Sequence, residues 1–142
     1  MEVKDINKKA LLSELLKFRK FHEDRSIPED VLGAEPYAKI IEKIQMNGII
    51  VESNPLWDEI SNLVLDWSPD FKRKLILLTE GKISLQDYRL ALLIKLGIRP
   101  TDISFLIGKA RGTVNSRRQN LGLKLFGEKK SMKLVDKIIS LL

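Results

Sequence analysis

Asn115, Ser116 and Gln119 stand close together in KARGTVNSRRQNLGLKLFG, residues 109–127. Each amide carries an acceptor oxygen and an NH2 donor, and the serine carries a rotating hydroxyl. Asn115 and Gln119 are four apart, so on a helix they share a face, with Ser116 adjacent. Amides so placed can pair in two-pronged fashion with the edge of adenine, and a serine hydroxyl reads base edges less selectively. The same stretch holds Lys109, Arg111, Arg117, Arg118 and Lys124 and no acidic residue. Ammonium and guanidinium groups suit phosphate oxygens, which supply affinity without reading sequence. Val114, Leu121 and Leu125 recur at helical spacing on another side, with Arg117 and Arg118 at its margins. One side of this predicted helix therefore packs, and the other is suited to meet a polyanion.

The charge of the whole chain is placed with the same bias. The 142 residues carry a net charge of +6. Residues 99–130 hold eight basic and two acidic side chains, so they account for the entire excess, and the rest of the chain is balanced. A localised excess points to a polyanion contact more than to general solubility. Arg111, Arg117, Arg118 and Lys124 are assigned to phosphates from charge and position.

Other chemistry finds little to build on. There is no cysteine, so disulfides and thiolate metal sites are excluded, and the single histidine is His22. A histidine-based zinc site or a Ser-His-Asp triad has too few parts, and no metal ligand set is expected. No carboxylate pair, activated nucleophile or phosphate-cradling loop stands out; Gly108-Lys109 followed by Arg111-Gly112 lacks the spacing of a phosphate-binding loop. The chain is expected not to be an enzyme, to need no cofactor and to take no small-molecule substrate. No run approaches the roughly 20 apolar residues of a membrane span. The charged start MEVKDINKKALLSELLKF is not a signal peptide, so a cytoplasmic protein is expected.

The elements that must position these residues read as helices throughout, seven or eight of them, in an all-α chain. Residues 1–25 form an N-terminal helical arm whose stripe is Leu11, Leu15, Phe18 and His22; it is either a short coiled-coil seam or a helix packed on the domain. Residues 26–82 form a helical support region. It opens with a loop at 26–36 and continues with a helix over Tyr37–Met46 that stops at Asn47-Gly48. Asn54-Pro55 starts the next helix, Asn as cap and Pro in the first turn, and Ser68-Pro69 repeats the device. Trp57 and Trp67 are read as core anchors. Residues 83–142 form the third unit. Ser84 and Asp87 make a capping box before an apolar helix ending at Gly97, and Pro100 starts a short helix that Gly108 breaks. A long helix then runs from about Arg111 to Phe126, with Gly127 as a left-handed cap, and Ser131 caps a last helix. Gly122 inside the long helix costs roughly 1 kcal/mol relative to Ala. Upstream of residue 84 nothing has the alternating strands of a phospho-acceptor domain.

A short helix, a tight turn and a longer helix make a helix-turn-helix pattern, in which the first helix braces the second and the second enters the major groove. From Gly97 to Leu125, GIRPTDISFLIGKARGTVNSRRQNLGLKL resembles, without a gap, the DNA-binding domain of LuxR/NarL-type regulators. The likeness is carried by Gly97, Asp102-Ile103, Ile107, Thr113-Val114, Asn120 and Lys124-Leu125, and SLQDYRLALLIKLG resembles the helix that opens that domain. Ala110 stands where the family carries Ser or Thr and cannot cap the helix that follows. The longer pattern, with LLIKLG, DISFLIGKARGTV and KLFGEK before a terminal amphipathic helix, is similar to the C-terminal cytoplasmic tails of bacterial membrane-anchored regulators that often carry repeat-type sensor domains. The resemblance implies a LuxR-type, winged-helix-like helix-turn-helix that binds double-stranded DNA and regulates transcription. It implies base contact by Asn115, Ser116 and Gln119, phosphate contact by Thr113 and Lys109, and action as a homodimer on two half-sites. The competing reading is a helical interaction module whose basic helix docks on an acidic partner or RNA polymerase.

Overall fold

The computed structural model describes the backbone over residues 2–17 and 27–142, and side chains over 8–15 and 27–142. Phe18 and His22 lie outside the described residues. Within them the chain is all-α: nine helices and no strand. They are α1 (Glu2–Lys17), α2 (Glu29–Leu32), α3 (Glu35–Asn47), α4 (Leu56–Trp67), α5 (Phe71–Leu78), α6 (Leu85–Lys95), α7 (Pro100–Ile107), α8 (Arg111–Phe126) and α9 (Met132–Leu141). The helix beyond the expected seven or eight is α2, a single turn inside the segment read as a loop. Pro28 sets φ at −57° immediately before it, and Glu29 and Asp30 occupy its first turn, where carboxylates favour the positive end of the peptide dipoles. No β-wing follows α8 among the described residues; α9 takes that place.

Helix α6 is the axis of the molecule. Every residue from Leu90 to Leu96 is buried, and the helix touches α4, α7, α8 and α9. The second half of this helix is apolar on every side except at Lys95, so it must be enclosed by neighbours, and burying each Leu or Ile side chain here contributes about 1.5–3 kcal/mol. Its start is fixed by the expected capping box. Ser84 Oγ accepts from the Asp87 N–H at 3.0 Å, and Asp87 Oδ2 accepts from the Ser84 N–H at 3.0 Å. Lys95, near its other end, is 3 % exposed and donates to the Ser140 carbonyl at 2.7 Å, tying α6 to the last turn of α9. Its ammonium also sits over the rings of Trp67 and Phe71, at 5.4 and 5.8 Å from their centroids. Burial, with the Lys74 charge adding to it, pushes the Lys95 pKa down to about 8.

The support region packs on the same core. Asn54 Oδ1 accepts from the Leu56 N–H at 2.9 Å, as its place before Pro55 leads one to expect. Ser68 does not repeat that role: its carbonyl, not its hydroxyl, receives the Phe71 N–H at 3.0 Å, so α5 begins after a backbone turn. Trp57 is buried and Trp67 half-buried, both against the core. In the arm, Leu15 is buried and Leu11 and Leu12 pack partly against the core, while α1 lies on α5 and α9.

Candidate nucleic-acid interface

The turn before α8 is set by three constraints. Gly108 adopts φ 66°, ψ 33°, a left-handed conformation that glycine enters without steric cost and that ends α7. The Lys109 N–H donates back to the Ser104 carbonyl at 3.0 Å. The Ile50 N–H donates to the Leu106 carbonyl at 2.7 Å, so the loop after α3 satisfies an orphan carbonyl at the end of α7. Ala110 then precedes α8 in extended conformation and offers no side-chain acceptor. The first N–H groups of α8 are left without a side-chain cap, beside the exposed Lys109 and Arg111.

Three contacts fix the rotation of α8 about its axis. Gly122 lies so close to α9 that an added Cβ would stand 2.6 Å from Val135 Cγ2. Its place inside the helix, costly by propensity, is thus explained by the approach of the two helices. Arg118, 6 % exposed, is clamped on Asp136 of α9 through both Nη2 and Nε, the latter at 3.3 Å from Oδ1. Burial pushes the Asp136 carboxyl up, and the Arg118 guanidinium, by hydrogen bond and charge, pulls it back down. Lys124 Nζ meets Asp87 Oδ2 at 2.6 Å, which locks the far end of α8 to the capping box of α6. Val114, Leu121 and Leu125 are buried beneath these clamps, as their spacing predicts.

That rotation decides which side chains face solvent. Thr113, Ser116, Asn120 and Leu123 are all exposed. At about 100° per residue they fall within roughly 80° of one another, forming the outer ridge of α8. Lys109 and Arg111 are exposed at its start, and Arg117 is half-buried on the flank toward α6. Asn115 and Gln119 are half-buried on the opposite flank, toward α9. Asn115 Oδ1 is already taken, accepting from Arg118 Nη1 at 3.1 Å.

The nine residues singled out by sequence therefore divide. Ser116, Thr113, Lys109 and Arg111 stand together on an open surface, with Arg117 and Gln119 at its two edges. Arg118 and Lys124, expected at phosphates, are each paired with a carboxylate of the protein, Arg118 buried and Lys124 half-buried. Asn115, expected to read bases, is half-buried with its Oδ1 accepting from the Arg118 guanidinium. Asn120 belongs to the ridge yet is not among the expected readers, although its place four residues after Ser116 puts the two on one face. No carboxylate lies within ion-pair distance of Lys109, Arg111 or Arg117 among the described residues. In the same basic stretch Arg99 pairs with Asp102 at 3.2 Å and Lys130 with Glu128 at 2.7 Å. Of the basic residues in 99–130, Lys109, Arg111, Arg117 and Lys129 have no ion pair among the described residues, and the first three stand in the first half of α8 and the turn before it.

No family model, curated protein or solved structure matches this chain. No helix among the described residues is long and apolar enough to cross a membrane.

Proposed function

We propose that this chain binds duplex DNA as a transcriptional regulator, or as the DNA-binding portion of one, with the outer ridge of α8 in the major groove. The observation that carries this reading is the ridge itself: small hydrogen-bonding side chains at Thr113, Ser116 and Asn120, flanked by Lys109, Arg111 and Arg117 without ion-pair partners. Ser116 and Asn120 reach base edges, with Gln119 beside them. Asn can bond adenine through both amide atoms, and the exposed Leu123 suits a thymine methyl group. Lys109, Arg111 and Arg117 bind phosphates, together with the uncapped N–H groups and the Thr113 hydroxyl at the start of the helix. Helix α7 braces α8 in the manner of a helix-turn-helix of the LuxR/NarL type, which residues 97–125 resemble, and a homodimer would read two half-sites.

The affinity of such a contact falls with salt because neutralised phosphates release counterions. A pool of duplexes titrated at several salt concentrations is expected to bind tightly at low salt. The Lys109→Gln/Arg111→Gln pair is expected to flatten the slope of log K against log salt by about two. Absence of binding even at low salt, or a slope unchanged in that variant, contradicts the reading. A second reading, a module that docks on an acidic protein or RNA polymerase, is favoured by two apolar side chains exposed nearby, Phe105 at 61 % and Leu123 at 44 %. Pull-down of one defined protein partner with no DNA affinity would select it.

A further inference from the structure

We infer that a groove beside α8 seats a sugar–phosphate unit of the DNA backbone, so that the helical support region shares in the DNA contact. This rests on the reading of α8 as the helix that enters the major groove. The groove has a volume of about 200 Å³ and lies between the loop before α4, the start of α6 and the α7–α8 turn; Arg89, Lys109 and Arg117 line it with Glu52, Trp57 and Ile107.

Three cations against one carboxylate leave the groove net positive. None of the three has an ion-pair partner among the described residues. A cleft lined by one sign of charge over low-dielectric walls focuses the field and concentrates a counter-ion. Arg89 also rests on an aromatic ring. Its guanidinium carbon sits 5.0 Å from the centroid of the Trp57 ring. That ring is buried, and its Nε1–H donates to the Val51 carbonyl at 3.1 Å, so the surface on which the cation rests is fixed. The mixture of charged groups with the apolar surfaces of Trp57 and Ile107 suits a deoxyribose carrying a phosphate better than a bare ion.

Arg117 and Lys109 belong both to the edge of the α8 ridge and to the lining of the groove. The major groove is about 12 Å wide, so a helix lying in it has one phosphate strand along each flank. The strand on the Arg117 flank of α8 runs directly over Arg89 and the loop before α4. Residues 50–57 thereby become part of the footprint, although they belong to the support region.

The test is the salt slope of duplex binding by the full chain carrying Arg89→Gln, Arg89→Lys or Arg111→Gln. Arg89→Gln is expected to flatten the slope by about one, as Arg111→Gln does, and Arg89→Lys to restore it. Glu52→Gln, an exposed change that leaves the fold intact, is expected to tighten binding roughly threefold at low salt by removing the one repulsive charge. If the unaltered chain shows no salt-dependent binding, the DNA reading itself fails. If it binds and Arg111→Gln flattens the slope while Arg89→Gln and Glu52→Gln change nothing, the groove inference alone is overturned. Titration with inorganic phosphate in the absence of DNA, followed by tryptophan fluorescence, separates the two sources of the anion. No saturable change is expected, and saturation that Arg89→Gln abolishes would assign the groove to a free phosphate and overturn the backbone assignment.

Discussion

Replacing Gly122 by alanine sets two known effects against each other. On an open helix face the change is stabilising by about 1 kcal/mol, because alanine loses less backbone freedom than glycine. At this position the new methyl would stand 2.6 Å from Val135 Cγ2, well inside ordinary contact. Val135 is fully buried, and a β-branched side chain on a helix has one strongly preferred rotamer, so it cannot swing aside. The helices must move apart or the side chains leave their rotamers, at a cost of about 1–3 kcal/mol. The net expectation is a loss of up to about 2 kcal/mol, or several degrees in the thermal midpoint of a domain this size. Val135→Ala alone removes buried methyls and is expected to cost about 2 kcal/mol. In the double variant the added methyl enters the space vacated, so the two changes should cost less together than their sum by about 1–2 kcal/mol. Urea unfolding followed by circular dichroism measures all three. If Gly122→Ala is stabilising by about 1 kcal/mol and additive with Val135→Ala, then α8 and α9 do not approach as described, and the rotation assigned to α8 loses its main support.

Two further consequences are open to measurement. Asp136→Asn leaves the Arg118 guanidinium, 7 % exposed in its side chain, without a counter-charge. A buried pair broken on one side costs about 3–5 kcal/mol, and with Asp136 itself 27 % exposed the lower end or slightly less is expected. Arg118→Met/Asp136→Leu should recover most of that stability in denaturant unfolding, and a change in Asp136→Asn below about 0.5 kcal/mol would show that the clamp does not hold. Lys95 binds its proton less tightly in the folded chain, near pH 8, than at its ordinary value of 10.5. Between those two values the unfolded state holds more protons, so stability contributed through Lys95 rises with pH, by up to about 3 kcal/mol in total. The stability of the native chain relative to Lys95→Met should therefore climb from pH 8 to pH 10, and a flat difference would refute the burial of the charged amine.

Much of the frame could be read from local rules. The capping box at Ser84 and Asp87, the helix stop at Gly108, the left-handed cap at Gly127 and the apolar stripe of Val114, Leu121 and Leu125 all depend on neighbours in sequence. Helix α2 escaped because one turn has no periodicity to detect; Pro28 and two acidic residues were its only signs. The basic stretch was legible as charge, but its sorting was not. Arg118 and Lys124 differ from Arg111 and Arg117 only in what lies across from them, Asp136 and Asp87, and those partners are 18 and 37 residues away. The helical wheel put Asn115 and Gln119 on one face correctly. It did not reveal that α9 closes on that side, because the approach depends on Gly122 meeting Val135. Once that contact is known, Asn120 takes the outer position, and Asn115 lies half-buried with its Oδ1 accepting from Arg118. Arg89 had no sequence signal at all, since its neighbours in the groove come from four separate elements.

The side chains of α8 that meet base edges decide which sequence is bound. Enrichment of bound sequences from a random duplex library, with the native chain and with Ser116→Ala and Asn120→Ala, measures this. A short consensus is predicted for the native chain. Each substitution should relax the preference at one position, by about 1–3 kcal/mol of discrimination for the asparagine, and leave affinity for unrelated duplex unchanged. No consensus from the native chain, or a consensus that survives both substitutions intact, would contradict the presentation of this ridge to DNA.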